Sequence, residues 1–166
     1  MPEASAAPGF EEVISDHRAM IARIAAAHEA DPASREDLVQ DILCALWRAL
    51  PGFRGECSLR AFVARVAANR AVTHVQRALR RPRPLEIPDD LPAPGASPES
   101  SAIARDDADR LIAAVRRLPL GLREAALLAL EGLTHNEIAE ALGVTPNAVA
   151  IRMSRAKTEL RTLIGG

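Results

Sequence analysis

The sequence predicts an all-α protein made of two small helical modules. Alanine and leucine supply much of the 48% apolar content, and both residues are strong helix formers. Tyrosine is absent and runs of β-branched residues are scarce, which disfavours a sheet. Six prolines fall between positions 82 and 98, and a helix cannot continue through such a stretch. We therefore expect one module over residues 8–81, a flexible acidic proline-rich linker over 82–100, and a second module over 101–164.

The first module begins with two amphipathic helices. Apolar residues recur at helical spacing from Phe10 to Ile24, and His17 falls where a core-edge position is more common than a ligand role. The next helix follows Asp31 and Pro32, with Ser34 as its expected N-cap. Opposite its apolar side runs a narrow polar stripe of Asp37, Gln40, Asp41, Cys44 and Arg48, with Trp47 at the margin. The stripe fits either a docking surface for a basic partner helix or an ordinary solvated face.

A long basic helix is predicted from about residue 59 to residue 81. Positions 60–84 contain seven arginines and no acidic residue. The apolar stripe changes sides near Asn69 to reach Ala68, Val72, Val75 and Leu79. Either the helix bends there or its halves pack on different neighbours. Around the crossover lie Arg65, Asn69, Arg70, Thr73 and Arg77. These groups suit phosphate and base-edge contacts, and a solvated arginine face is the alternative.

The last thirty-odd residues predict a helix-turn-helix. Thr134 and Glu137 have the spacing of a capping box, in which each satisfies a free N–H of the other. Gly143 supplies the left-handed residue that ends this short helix. Thr145 is a good N-cap, and Pro146 suits the first position of a second helix. A second helix presented in this way fits the major groove of DNA.

The second helix of this motif has two different faces. We expect its apolar residues to pack on the module, namely Val149, Met153, Ala156, Leu160 and Leu163. The other side carries Asn147, Ile151, Ser154, Arg155 and Thr158, with Arg152 and Lys157 on the flanks. Arginine can contact a guanine edge through two hydrogen bonds, whereas lysine mainly binds phosphate. An amphipathic surface helix with a solvated basic side is the alternative.

Charge and composition narrow the function classes. The formal net charge is only −1, but the charged residues are unevenly distributed along the chain. Two basic zones flank an acidic segment, which contains Glu86, Asp89, Asp90, Glu99, Asp106, Asp107 and Asp109. This asymmetry indicates an acidic connector between two DNA-facing modules. The four histidines, Cys44 and Cys57 show no metal-ligand spacing, and no phosphate-binding loop or nucleophile with its base is recognisable.

These observations argue against an enzyme, a cofactor or a metal site. Cys44 and Cys57 are expected to be ordinary thiols, with metal or oxidant sensing as the less favoured alternative. No segment approaches the ~20 apolar residues of a membrane span, and the N-terminus lacks the pattern of a secretory signal. We expect a cytoplasmic protein without membrane insertion.

Several short stretches together form a recognisable pattern. They are Glu36-Asp37-Leu38-Val39-Gln40-Asp41, Ala45-Leu46-Trp47-Arg48, Phe53-Arg54-Gly55-Glu56-Cys57-Ser58 and Val66-Ala67-Ala68-Asn69-Arg70-Ala71. They resemble region two of sigma-70-type RNA polymerase sigma factors. Residues 118–157 resemble region four. The order of the two regions, the short length and the absence of region three are similar to the extracytoplasmic-function group of alternative sigma factors.

The resemblance implies a factor that binds core RNA polymerase and directs promoter-specific transcription initiation. Contacts to the β′ clamp coiled coil would come from Asp37, Gln40, Asp41, Trp47 and Arg48. The −10 element would be bound by Phe53, Arg54, Arg60, Arg65, Asn69, Arg70, Thr73 and Arg77. The −35 element would be bound by Thr145, Asn147, Ile151, Arg152, Ser154, Arg155 and Lys157. The second module would also rest on the β flap. An anti-sigma factor, which would hold the protein at the membrane in some cases, is a further implied partner.

The chain also departs from the family pattern. Ala61-Phe62-Val63-Ala64-Arg65 stand where a more aromatic stretch is common, Thr73 replaces a usual aspartate, and Ala150-Ile151 replace a basic residue and a serine. We therefore expect an unusual −35 sequence, with Ile151 able to touch a thymine methyl. The main rival interpretation is a sigma-like module that binds an anti-sigma regulator without directing transcription. A repressor with one helix-turn-helix would leave the first module unexplained.

Overall fold

The computed structural model describes residues 8–81 and 101–166. Over these residues it contains helices and no strand, which confirms the all-α prediction. The helices are α1 (Phe10–His28), α2 (Pro32–Ala49), α3 (Leu59–Arg80), α4 (Ser101–Arg117), α5 (Leu120–Leu130), α6 (His135–Leu142) and α7 (Pro146–Gly165), with a short 3-10 turn at Leu50–Gly52 after α2. The predicted linker, residues 82–100, lies outside the described residues.

Helices α1, α2 and α3 pack on one another to form the first module. Leu38, Ile42 and Leu46 of α2 are completely buried at four-residue spacing, so the predicted apolar side of this helix is confirmed. The prediction of Ser34 as N-cap is wrong. The helix begins earlier because Pro32 suits its first turn, where no N–H is needed. The Asp31 carboxylate is the cap and accepts a 2.9 Å hydrogen bond from the Ser34 amide.

Helix α3 runs unbroken through the point where its apolar stripe changes sides. Ser58 caps its N-terminus by accepting a hydrogen bond from the Ala61 amide at 3.1 Å. The side that is most deeply buried is rich in alanine and consists of Ala61, Phe62, Val63, Ala64, Ala67, Ala68 and Ala71. Val72 and Val75 are half-buried, and Leu79 is 74% exposed. The expected burial of Leu79 is wrong because residues 76–81 are all exposed, beyond the packed part of the helix.

Helices α4 to α7 form the second module, and its helix-turn-helix agrees with the predicted local signals. Thr134 and Glu137 make both hydrogen bonds of the capping box. Gly143 ends α6 in the left-handed conformation with φ 65° and ψ 35°, and Thr145 caps α7. The acidic segment predicted between the modules is in part helical, since Asp106, Asp107 and Asp109 lie on α4. Asp106 pairs with Arg110, one turn further along α4, at 2.8 Å.

The two modules pack against each other. Helix α1 contacts α4 and α5, and α3 contacts α5 and α6. Buried apolar residues of both modules belong to one continuous cluster, which extends from Val13 to Val149. Arg116 of α4 donates through Nε and Nη2 to the Ala26 carbonyl oxygen at 2.9 and 2.7 Å. The sequence left this arrangement open, and the packing places the start of α3 next to the second module.

Candidate polymerase and nucleic-acid interfaces

The polar stripe on α2 is exposed, as predicted. Leu38 and Ile42 point into the core, so Asp37, Gln40 and Asp41 face outward on the same helix, followed by Arg48. Trp47 is 65% exposed. Its ring meets Phe10 edge-on with the ring centroids 5.1 Å apart. The five residues predicted to bind polymerase therefore lie on accessible surface of one helix.

An open apolar cavity of about 350 Å³ adjoins Trp47 and is lined by Pro8, Phe10, Trp47, Leu50 and Pro51. Of these residues only Trp47 was predicted from the sequence to bind a partner. The others come from the start of α1 and from the turn after α2, and the fold brings them together.

A polar groove separates α2 from α3. Its lining includes Asp37 and Asp41 from α2 together with Arg70, Thr73 and Arg77 from α3. The carboxylates predicted to bind polymerase therefore share a groove with arginines predicted to bind DNA. Nearby, His74 Nε2 lies 2.8 Å from the Glu29 carboxylate.

In two side chains of this groove, Thr73 and Arg70, one polar group is not available to a ligand from solvent. The Thr73 hydroxyl donates to the Asn69 carbonyl oxygen at 3.0 Å, so its proton is already used within α3. The Arg70 Nε is buried and makes no hydrogen bond within the described part of the chain. Asn69 and Arg77 are exposed, and they remain free to contact a ligand from solvent.

An aromatic pocket lies where the loop after α2 meets α3. The rings of Phe53 and Phe62 pack with their centroids 4.9 Å apart. The Arg65 guanidinium carbon lies 5.6 Å from the centroid of the Phe62 ring, a cation–π geometry. The cavity measures about 360 Å³ and is lined by Phe53, Glu56, Cys57, Phe62, Arg65 and Glu140. An aromatic wall beside an arginine suits stacking of unpaired bases.

Sequence reasoning missed three residues that line this aromatic pocket. Glu56 and Cys57 follow Phe53 directly in the chain, and that proximity was an available signal. Glu140 belongs to α6 of the second module, and no local pattern links it to Phe53. It reaches the pocket only because the modules pack together.

Arg60 and Arg54 have different surroundings, although both were predicted to bind the −10 element. Arg54 is exposed. Arg60 is directed at the second module, where its Nε donates to the Glu131 carbonyl oxygen at 2.7 Å and its Nη2 to the Glu131 carboxylate at 3.3 Å. Two of the three guanidinium nitrogens of Arg60 therefore have a protein partner, although its side chain is 47% exposed.

The exposed face of α7 carries four of the residues predicted to read the −35 element. Val149 and Ala156 are completely buried and hold the helix on the second module. The opposite side of the helix therefore faces solvent. That side presents Asn147, Ile151, Ser154 and Arg155, and Lys157 is exposed as well. The Thr145 hydroxyl accepts a hydrogen bond from the Ala148 amide at 3.1 Å, so Thr145 has a structural role as a helix cap.

Arg152 does not share the exposed face of α7. It is half-buried and packs over Gly121 at the start of α5. A methyl group added to Gly121 would lie 3.6 Å from the Arg152 guanidinium carbon. Burial raises the pKa of the nearby Glu124 carboxyl, and the positive charges of Arg152 and Arg123 oppose that rise. Arg152 therefore faces α5 and the carboxylate of Glu124.

Glu131 is the principal buried charge between the modules. Its side chain is 2% exposed, and Arg23 donates to its two carboxylate oxygens through Nε at 2.6 Å and Nη2 at 2.7 Å. The hydrogen bonding of Arg23 to the Glu131 carboxylate raises the pKa of Arg23. Together with Arg60 these residues form a three-residue ion-pair cluster, which we call the Glu131 cluster. Sequence reasoning did not identify Arg23 or Glu131, because the pair is separated by 108 positions.

Within the described ranges 8–81 and 101–166, no group of three or more histidine, cysteine or acidic side chains is placed to hold a metal ion. In the same ranges, none of the helices combines the length and apolar character that a membrane crossing requires. Cys44 is exposed and Cys57 half-buried, and both are free thiols.

Comparison with known proteins gives matches over both modules. The family model described as Sigma-70 region 2 matches residues 13–81, and the model described as Sigma-70, region 4 matches residues 108–160. The chain is 28% identical over 164 residues to RNA polymerase sigma factor NccH of Alcaligenes xylosoxydans xylosoxydans, covering 93% of this chain and 86% of that protein. It is 31% identical over 134 residues to ECF RNA polymerase sigma factor ShbA of Streptomyces griseus, covering 77% and 70%.

A solved structure shares the fold of both modules. It is the co-crystal structure of the sigma factor RpoE with the anti-sigma factor NepR from Bartonella quintana, which superposes with a TM-score of 0.70 at 21% sequence identity. The alignment covers 94% of this chain and 96% of the solved chain. At this identity the likeness concerns the fold.

Proposed function

This chain belongs to the extracytoplasmic-function group of sigma-70-type RNA polymerase sigma factors and directs transcription initiation as an alternative sigma factor, and we propose that it binds core polymerase through α2 and promoter DNA through α3 and α7. The observation that carries this proposal is the exposed face of α7. The polar and apolar side chains of this face point into solvent. On the other side of the helix, Val149 and Ala156 are completely buried and hold the helix on the second module. That is the geometry a recognition helix needs in order to enter a major groove.

The polymerase-binding surface is the stripe of Asp37, Gln40 and Asp41 with Trp47 and Arg48. Its two carboxylates are exposed and suit a basic partner such as the β′ clamp coiled coil. Trp47 offers a large apolar side chain beside the polar groups, and exposed tryptophans are frequent anchors of protein interfaces. The second module rests on the β flap in the same complex.

The −10 surface is the aromatic pocket together with the exposed groups of α3. Phe53 and Phe62 provide ring faces for an unstacked base, and Arg65 adds a positive charge beside the Phe62 ring. Extracting a base costs a few kcal/mol, and stacking on an aromatic side chain returns about 1–3 kcal/mol per base. The pocket therefore holds open a strand that has separated by fluctuation, without ATP hydrolysis. Arg54, Asn69, Arg70 and Arg77 supply the neighbouring polar and phosphate contacts, and Arg60 joins them through the guanidinium N–H groups that do not contact Glu131.

The −35 surface is the exposed side of α7. Arg155 is placed to contact a guanine edge, and Ile151, which is 48% exposed, is placed to contact a thymine methyl. Asn147 and Ser154 add hydrogen-bonding groups, and Lys157 contacts phosphate. Thr145 holds the start of the helix, and Arg152 supports the helix from the α5 side.

An anti-sigma factor regulates this chain. The related RpoE fold was solved with the anti-sigma factor NepR, and the exposed apolar surface around Trp47 and Phe10 is available to such a partner. The chain acts with polymerase in the cytoplasm. A sigma-like module that only binds a regulator would have no use for the exposed α7 face and the aromatic pocket together.

Reconstitution with bacterial core RNA polymerase tests the proposed function. The purified chain is mixed with core enzyme and fragmented genomic DNA, and the 5′ ends of the transcripts are sequenced. We expect RNA to start at a set of sites that share one −35 and one −10 sequence. Binding to polymerase without any defined start site would favour the regulator-binding alternative, and failure to bind polymerase would refute the assignment of α2.

A further inference from the structure

We propose that Arg152 is a positioning residue for −35 recognition rather than a DNA contact, and that Gly121 and Glu124 of α5 hold it in place. This inference rests on the proposed function of α7. The exposed side chains of α7 can read base edges only when the helix presents them at one angle to the module. The contact of Arg152 with α5 sets that angle.

Arg152 lies at the boundary between the packed and the exposed side of α7. Val149 precedes it by three positions and Ala156 follows it by four, so both are its neighbours on the helix surface, and both are completely buried. Ile151 and Arg155, on its other side, are exposed, and Arg152 itself is half-buried. Rotation of α7 about its axis would move Arg152 either into the core or into solvent. Its contacts therefore restrict that rotation.

Gly121 gives the Arg152 guanidinium a flat surface on α5. The two helices pack against each other, and Gly121 lies in the first turn of α5. A Cβ added to Gly121 would lie 3.6 Å from the guanidinium carbon, 3.7 Å from Nη1 and 3.9 Å from Nε. These three distances are nearly equal, so the face of the planar group covers the glycine. A long side chain at position 121 would occupy the same space.

Glu124, three positions further along α5, supplies the opposite charge. Burial raises the pKa of the Glu124 carboxyl, and the positive charges of Arg152 and Arg123 oppose that rise. Arg123 Nη2 donates to the Leu118 carbonyl oxygen at 3.2 Å, so Arg123 is held on the α5 side. Arg152 is the positive charge that α7 contributes. Attraction between Arg152 and a partly buried carboxylate is screened less than it would be in open water, and it draws α7 toward α5.

A positioning arginine and a phosphate-binding arginine respond in opposite ways to the loss of Glu124. If Arg152 bound phosphate, Glu124 would compete with DNA for it, and Glu124→Gln would tighten binding to every sequence. If Arg152 positions α7, Glu124→Gln loosens the helix. Hydrogen bonds to base edges then lose their alignment and weaken steeply, so the base preference falls. The direction of the change distinguishes the two roles.

The test uses the holoenzyme formed by the full-length chain and core polymerase. It is mixed with duplex promoters randomised in the −35 element, and sequencing of the bound DNA gives the base preference at the position that the wild type reads most strongly. Binding to the most frequently selected promoter at several KCl concentrations gives the salt slope, which counts phosphate contacts. The variants are Arg152→Gln and Glu124→Gln. Glu159→Gln is the matched control, because Glu159 is an exposed acidic residue of α7.

We expect both variants to lower the preference at that position by about threefold or more, which is part of the discrimination that one bidentate contact provides. The salt slope of Arg152→Gln should equal that of the wild type because no phosphate contact is lost. The double variant should lose little more than either single one, since both break the same contact. Glu159→Gln should keep the wild-type base preference.

Gly121 offers a test that leaves both charges in place. Gly121→Leu puts bulk against the guanidinium and should lower the base preference. Gly121→Ala is its control, because the added methyl group lies at ordinary van der Waals distance from Arg152 and should leave the preference unchanged. Circular dichroism of the free chain checks the fold of each variant. If a charge variant fails to fold, the two Gly121 variants decide.

Two results would make Arg152 a phosphate contact and overturn the proposal. One is a salt slope that falls by about one in Arg152→Gln, and the other is tighter binding by Glu124→Gln with an unchanged base preference. Folded Arg152→Gln, Glu124→Gln and Gly121→Leu variants that all keep the wild-type preference would refute the positioning role alone. A wild-type holoenzyme without any −35 preference would instead refute the proposed function of α7.

Discussion

Phe53 and Phe62 pack with their ring centroids 4.9 Å apart and their planes inclined by 51°, and the two rings have different surroundings. Phe62 is 6% exposed and belongs to the core of the first module. Phe53 lies on the loop and is half-buried. Phe62 therefore holds Phe53 in place, and Phe53 is the ring that a base can reach.

We predict that Phe53→Ala impairs promoter opening. Loss of one stacking partner removes about 1–3 kcal/mol, so we expect roughly tenfold or more fewer open complexes at equal occupancy of the promoter. Permanganate reactivity of unpaired thymines near the start site measures the open fraction. Phe62→Ala is the comparison, since it should instead lower folding stability by about 3–5 kcal/mol. Normal thymine reactivity in the folded Phe53→Ala protein would remove Phe53 from the −10 surface.

We predict that Asp41→Arg abolishes binding to core polymerase while leaving the fold intact. Asp41 is exposed on α2, so the substitution reverses a charge on the surface that faces a basic partner. Asp16→Arg is the matched control, because Asp16 is equally exposed on α1 and lies outside the polar stripe. Native gel shift with core enzyme measures binding, and circular dichroism checks the fold. Retention of binding by Asp41→Arg would place the polymerase surface elsewhere.

The sequence predicted the local features of the fold well, since these depend on neighbouring residues. The capping box of Thr134 and Glu137, the left-handed Gly143 and the cap at Thr145 involve residues close in the chain, and the structure contains all of them. Ser34 failed as a cap because Asp31 and Pro32 together offer a better helix start.

What the sequence did not predict depends on packing between distant segments. The pairing of Arg23 with Glu131 spans 108 positions, and neither residue lies in a motif. Glu140 lines the aromatic pocket only because α6 packs near α3. Arg152 was expected on the flank of the recognition face, and it instead packs over Gly121.

We predict that Arg155→Ala changes promoter choice while polymerase binding stays normal. A bidentate contact between arginine and guanine is worth about 1–3 kcal/mol of discrimination, so we expect preference for one −35 base to fall by roughly tenfold or more. Competitive transcription from a pool of promoters with randomised −35 elements measures it. Arg161→Ala, an exposed position further along α7, should leave the preference unchanged. An unaltered −35 preference in Arg155→Ala would rule out base reading by Arg155.

We predict that Gly143→Ala destabilises the second module by about 1–2 kcal/mol. Gly143 has φ 65°, and no atom lies within 4 Å of an added Cβ, so the cost comes from the backbone conformation alone. Gly52→Ala is the control, because its site is equally open and its φ is ordinary. Urea denaturation gives the free energy of unfolding. Equal midpoints for both variants would show that the left-handed turn adds no strain to an alanine.

We predict that stability falls in acid because of His28. Its imidazole is 6% exposed. Its Nδ1 lies 2.8 Å from the Ile24 carbonyl oxygen, and its Nε2 is buried without a hydrogen bond within the described residues. Burial lowers the pKa of His28 from 6.5 to about 4, although the hydrogen bond to Ile24 opposes that effect. Between these values the unfolded chain binds a proton that the folded chain rejects, so the folded state loses stability as the pH falls from about 6.5 to about 4.

The loss attributable to His28 is about 3 kcal/mol over that window. Urea denaturation at several pH values measures the slope of the unfolding free energy. His28→Gln removes the titration, so its slope should be shallower than that of the wild type. His135→Gln, at an exposed position, should keep the wild-type slope. Parallel pH profiles for the wild type and His28→Gln would mean that His28 is solvated and protonates as readily in the folded chain as in the unfolded one.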